Sequence, residues 1–323
     1  MKEKAWKLVD HCLAQRIPVM LLYVLESLGS SPGRQGFFMV VTAGGQTEGS
    51  IGGGIMEHKF VEMAREKLLT LTDISSTASI KKQFHDKAAI RDQSGMICSG
   101  EQTIFLYPVK PTDAGVIQNI IQSLAQPKNG TLQLSPSGIN FSNEIPQQDF
   151  YFHLRTQEDW EYKEKTGWKN QLFIIGGGHC ALALSKLMYF MDFYIRLYDD
   201  RPGLKTIEEN KFVHESLQIP DLSLLKDIIP EGANHYVVIM TVGYRNDDLA
   251  IRALVNKNFK YIGLLGSQAK INTMFDQYRL EQIDPDWLAS IHAPLGLAIK
   301  SQTPEEIAVS IAAEIIQIKN RDL

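Results

Sequence analysis

Two kinds of apolar pattern alternate along this 323-residue chain: short unbroken runs, and sparser runs that repeat every three or four positions. From Lys169 onward they alternate regularly. Leu172 to Ile175, Phe193 to Tyr198, Tyr236 to Met240 and Tyr261 to Leu265 are unbroken, as strands covered on both faces must be. Helical spacing follows in Leu222 to Ile229, in Asn246 to Asn256 and after Ser267. Thr303-Pro304-Glu305-Glu306 opens the last helix with a capping box and proline at its first position. Strand and helix in strict turn predict a Rossmann-like, doubly wound parallel sheet over residues 169–323.

The first half reads differently. Ala5, Leu8, Val9 and Cys12 lie at helical spacing within Lys4 to Gln15, and Pro18 to Leu25 predicts a buried strand. A second strand over Phe37 to Thr42, a helix presenting Met56, Phe60, Met63, Ala64 and Leu68, and a strand over Gln102 to Tyr107 complete a smaller α+β domain over residues 1–112. Over residues 113–168, Pro, Asn, Gln and Ser accumulate, and the short alternating runs 131–134 and 150–154 predict hairpins in a connecting region. Trp160 to Gly167 is expected at its charged outer edge.

The strand ending at Ile175 runs into Gly176-Gly177-Gly178-His179-Cys180-Ala181 and then a helical pattern. Gly-x-Gly-x-x-Ala in that context is a dinucleotide-binding fingerprint. Gly176 permits the tight turn, Gly178 lets a pyrophosphate approach the backbone, and Ala181 lets helix and strand pack closely. A helix N-terminus there offers free N–H groups to an anion. The next strand ends in Asp199-Asp200, where a ribose-binding carboxylate is expected and favours a free ribose hydroxyl over a 2′-phosphate, although Arg201 beside it weakens that choice. Thr241 and Gly266-Ser267 close the other strand ends, so a nucleotide-like ligand is expected among Gly176, Gly178, His179, Asp199, Asp200, Arg201, Thr241, Gly266 and Ser267. The competing reading is a Rossmann-shaped scaffold whose turn is merely tight.

Composition narrows the class. At 44% hydrophobic and 22% charged the chain is globular, and a net charge of −4 gives no electrostatic case for nucleic acid or an anionic membrane. No apolar run approaches the roughly 20 residues of a membrane span, and the N-terminus shows no signal-peptide core. Three scattered cysteines fit reduced thiols in the cytoplasm.

Two further loops, Gly29 to Gly36 and Gly49 to Gly54, combine glycines with small hydroxyls and nearby Arg34 and Glu57. Their N–H groups could form an anion nest, which makes Ser30, Ser31, Gly52, Gly53 and Gly54 candidates, or they are tight turns needing positive φ. Cys98, among glycines at the start of a strand, is a candidate soft-metal or sulfur ligand, or a small buried hydrophobe. His292, in Ile291-His292-Ala293-Pro294, either reaches the crevice or orders the chain before the last helix. There is no hydrolytic triad, no helical pair of metal-spaced histidines and no CxxC motif.

At these residues the chain resembles the XdhC/CoxI family of molybdenum hydroxylase maturation factors. The resemblance runs through Gly29-Ser30-Ser31-Pro32, Gly49 to Gly54, Cys98-Ser99-Gly100-Glu101, Gly176 to His179, Asp199-Asp200-Arg201-Pro202, Tyr261 to Ser267, Ile291 to Gly296 and Thr303 to Ala308. It implies a protein, typically a homodimer, that binds the molybdenum cofactor as molybdopterin or its nucleotide form. Such a protein protects the cofactor during sulfuration by a cofactor sulfurase and hands it to the apo-hydroxylase, without turnover of its own. The family usually continues its glycine run with cysteine, where this chain has Ile55, which cannot coordinate molybdenum; Cys98 is then the remaining thiol candidate. The residues themselves leave open an NAD(P)-dependent oxidoreductase using the same crevice, and a scaffold that has lost its ligand.

Overall fold

The computed structural model describes residues 2–70, 78–84, 100–125 and 129–321. They fall into two compact units, Met1–Gly167 and Trp168–Leu323.

In the first unit the chain runs α1 (Lys2–Ala14), β1 (Val19–Gly29), β2 (Phe38–Thr42), β3 (Thr47–Gly49), α2 (Gly54–Thr70), β4 (Ser79–Phe84), β5 (Gly100–Pro108) and α3 (Ala114–Ala125). Four strands follow: β6 (Gly130–Ser135), β7 (Gly138–Ser142), β8 (Phe150–Thr156) and β9 (Asp159–Thr166). β1 is the centre of an antiparallel sheet ordered β3-β2-β1-β5-β4. Its unbroken apolar run has a physical reason: alternate side chains point to opposite faces, and both faces are covered. Met20, Leu22 and Val24 pack with Met56, Phe60, Ala64 and Leu68 of α2. Val19, Leu21, Tyr23 and Leu25 pack with α1, α3 and the second sheet, ordered β7-β6-β9-β8.

Here one expectation fails. The segment Trp160 to Gly167 is not an outer edge, because β9 pairs with β6 on one side and β8 on the other. Trp160, Tyr162 and Glu164 are buried while the charged residues between them face outward. The charges masked a period-two strand pattern.

The second unit comprises β10 (Asn170–Ile175), α4 (His179–Tyr189), β11 (Phe193–Asp199), α5 (Lys205–Glu208), β12 (Glu215–Gln218), α6 (Leu225–Ile228) and β13 (Gly232–Ile239). It continues with α7 (Tyr244–Leu254), β14 (Phe259–Leu264), α8 (Gln268–Leu280), α9 (Pro285–Ala289), β15 (Ile291–His292) and α10 (Pro304–Lys319). All its strand pairs are parallel, in the order β12-β11-β10-β13-β14-β15. The doubly wound Rossmann-like sheet expected from the alternation is therefore present. Leu172 and Ile174 face α4 and α10, while Phe173 and Ile175 face the layer of α7 and α8. The segment starting at Ile291 adds the short edge strand β15. No helix among the described residues is long and apolar enough to cross a membrane.

Candidate functional site

The sheet order reverses direction between β10 and β13, and a crevice opens at such a switch point beyond the carboxyl ends of the strands. Two helices start there, α4 behind Gly178 and α7 behind Gly243, and neither has a side-chain cap. By contrast α8, α9 and α10 are capped by Ser267, Asp284 and Thr303. A Cβ added at Gly178 or Gly243 would meet no atom within 4 Å. Free N–H groups, the positive ends of two helix dipoles and open space together favour an anion. Gly176 does a different job: at φ +107° a Cβ would stand 2.4 Å from the Met240 carbonyl oxygen, so only glycine lets the loop press against the end of β13.

The side chains at the strand ends are linked by hydrogen bonds. Asp199 is 2% exposed and accepts from the Gly177 N–H at 2.6 Å and from the Arg201 N–H, Nε and Nη2 at 2.8, 2.9 and 2.7 Å. Burial acts to raise its carboxyl, but these bonds outweigh burial and hold it below the ordinary carboxylate value. Asp200 accepts from the Asn246 amide at 3.0 Å, which ties β11 to the first turn of α7. The buried Asp247 accepts from the Thr241 hydroxyl and pairs with Lys270 of α8.

Lys270 is a residue that pattern reading missed. Its signal was available: a lysine in the first turn of a helix opposes the dipole, and such a misfit points to a carboxylate elsewhere. Gly266 and Ser267 take part in this arrangement. A Cβ on Gly266 would touch the Lys270 stem at 3.3 Å, and Ser267 caps α8. Arg201 and Lys270 remain 34% and 23% exposed, so each presents cationic surface.

The histidines separate. His179 is exposed in the first turn of α4, beside the crevice. His292 is tied to α10: its Nδ1 lies 3.0 Å from Glu314, which also accepts from the Tyr261 hydroxyl at 2.6 Å and the Gly296 N–H at 2.8 Å. The Tyr261 ring stacks on the imidazole at 4.7 Å. Burial, followed by the Glu314 hydrogen bond, pushes the Tyr261 phenol well above its ordinary range. Sheet order leaves β14 between this edge and β13. Cys180 is half-buried, and burial, followed by Glu305, raises its thiol.

In the first unit the glycine loops fold onto each other. A Cβ on Gly33 would stand 2.0 Å from the Ile51 carbonyl oxygen, and one on Gly100 would stand 2.7 Å from the Ser31 nitrogen. The buried Gln102 amide donates to both loops, to the carbonyls of Gly33 at 2.7 Å and Ile51 at 3.3 Å. The anion nest expected at Gly52 to Gly54 exists but holds an internal carboxylate. Glu57 accepts from the Ser50 hydroxyl at 2.6 Å and from the N–H groups of Ile51 and Gly53 at 3.0 Å each. The Gly52 N–H donates to the Ser50 hydroxyl, and the Ser31 and Ser27 hydroxyls bond each other at 2.6 Å. Ser30, Gly54 and Ile55 are exposed, Ile55 by 60%. Cys98 lies outside the described residues. Among those residues no cluster of three or more His, Cys, Asp or Glu is arranged to hold a metal.

An open cavity of about 570 Å³ lies over β11 and β12, lined by Arg196, Tyr198, Glu215, Leu217, Ile228 and Pro230. Its charged groups are already paired, Arg196 with Glu215 at 2.8 Å and with Gln171 at 2.5 Å. It offers a ligand less than the crevice does.

Comparison with known proteins agrees with this division. Residues 172–315 match the XdhC Rossmann domain, and residues 12–73 match the XdhC and CoxI family. The chain is 25% identical over 313 residues to the uncharacterized protein YqeB of Escherichia coli, covering 95% of this chain and 44% of YqeB. It is 30% identical over 155 residues to a probable xanthine dehydrogenase subunit of Bacillus subtilis, covering 47% of this chain and 44% of that protein. The chain thus spans less than half the length of either relative. A crystal structure of a xanthine dehydrogenase from Bacillus halodurans superposes with a TM-score of 0.75 at 20% identity, over 99% of this chain and 97% of that one, which establishes a shared fold.

Proposed function

The chain belongs to the XdhC and CoxI family, and from that premise we propose that it is an accessory protein for maturation of a xanthine dehydrogenase-type molybdenum hydroxylase. In this reading it binds the molybdenum cofactor, shields it and passes it to the apo-enzyme. The observation that carries the reading is the anion-seeking crevice of the second unit. Two uncapped helix ends, open glycines and the cations Arg201 and Lys270 suit the phosphate that molybdopterin carries. What the described residues fit is the phosphate end of this cargo. Ile55 occupies the position where the family usually has cysteine, and it has no donor for molybdenum. Binding is therefore expected to run through phosphate and pterin.

An oxidoreductase using NAD(P) shares the crevice but needs a proton donor beside the nicotinamide. Of the two candidate donors, His292 is committed to Glu314 at the far edge of the sheet, while Tyr244 is exposed at the start of α7. Equilibrium titration of the purified protein with molybdopterin and with nicotinamide nucleotides tests the reading. Tight molybdopterin binding, without turnover of bound NADH or NADPH, is the expected result. Failure to bind molybdopterin would refute it.

A further inference from the structure

The β11 end of the crevice bears on what kind of nucleotide-like ligand fits, provided the crevice is the ligand site, as the proposed function assumes. A carboxylate offers about four lone-pair directions. Asp199, at the position where a Rossmann site reads the ribose diol, has all of them in use. One oxygen takes the Arg201 N–H and Nε, and the other takes the Gly177 N–H and Arg201 Nη2. At 2% exposure it cannot accept from a ribose hydroxyl without orphaning one of those donors.

Arg201 is used only in part. Its Nη1 makes no hydrogen bond among the described residues, and its side chain is 34% exposed. A guanidinium held through two nitrogens by a carboxylate presents its remaining N–H groups in a fixed direction, which suits a phosphate oxygen. Asp200, the other carboxylate here, accepts from Asn246 through one of its oxygens.

We propose that this end of the crevice selects a ligand bearing a phosphate monoester on the ribose over one with a free diol. Arg201 reads the anion, and Asp199 is a positioning residue that fixes Arg201 and the glycine loop.

NADPH and NADH are the probes, titrated against the whole chain by protein fluorescence or calorimetry. NADPH is expected to bind at least about tenfold more tightly than NADH. Arg201→Gln is expected to remove that difference by weakening NADPH alone, and Arg201→Lys to restore part of it, which separates charge recognition from folding. Equal or tighter binding of NADH, a preference that survives Arg201→Gln, or no binding of either nucleotide at about 1 mM would overturn the proposal. Molybdopterin plays no part in this experiment, so its outcome and that of the cofactor titration are independent.

Discussion

The two units both carry glycine-rich loops, and they use them in opposite ways. In the first unit the glycines let backbone meet backbone, Gly33 against Ile51 and Gly100 against Ser31. Loop N–H groups there are satisfied from within, by Glu57 and Ser50. In the second unit Gly176 makes a comparable close approach, but Gly178 and Gly243 face open space and lead into uncapped helices. Glycine at a turn thus signals closeness to something. Whether that something is the protein's own chain or a ligand is decided by where the N–H groups go. Gly53 shows why the distinction needs both observations: the space around it is open, yet its N–H is taken by Glu57.

The contrast can be broken in several ways. Gly33→Ala should cost at least about 3 kcal/mol, because backbone on both sides must move, and denaturant unfolding would read this directly. An unchanged midpoint would mean that the loops are not pressed together. Glu57→Ala should cost about 1–3 kcal/mol by orphaning donors in the loop, without weakening the binding of an anionic ligand to the second unit. If ligand affinity fell with it, the first unit's nest would belong to the site.

Asp199 gives a pH test. Its folded-state carboxyl lies below the unfolded value, so its contribution is complete above the ordinary value of 3.8 and is lost as pH falls through the lower folded value. The stability gap between wild type and Asp199→Asn should therefore be flat near neutrality and shrink below about pH 4 in urea titrations. Gly178→Asp should have the smallest effect on stability, a few tenths of a kcal/mol in the favourable direction, since aspartate caps helices well and the backbone there is extended.

Much of the second unit was legible in the sequence because its signals are local. An apolar run, a Gly-x-Gly-x-x-Ala turn and a helical period lie next to one another, and so does the Thr303 capping box, whose reciprocal bonds with Glu306 form as expected. What escaped was set by pairing across the chain. Glu57 looks like an ordinary first-turn glutamate until its oxygen is found against the preceding loop. Lys270 and Asp247 lie on different helices, and each alone reads as surface charge, although together they anchor Thr241 at the crevice. Trp160 and Tyr162 were hidden among charges because β9 gains its second neighbour from β6, far earlier in the chain. Asp199 was singled out by position as a ribose carboxylate, but its saturation by Arg201 and Gly177 could be seen only in three dimensions.

An anionic ligand is expected in the crevice of the second unit and not at the glycine loops of the first. Calorimetric titration of molybdopterin into wild type, Gly178→Asp and Glu57→Ala tests this most directly. Gly178→Asp should keep full thermal stability and lose binding, because its carboxylate takes the N–H groups offered to the phosphate, while Glu57→Ala should bind as wild type does. Undiminished binding by Gly178→Asp together with loss in Glu57→Ala would place the ligand in the first unit instead.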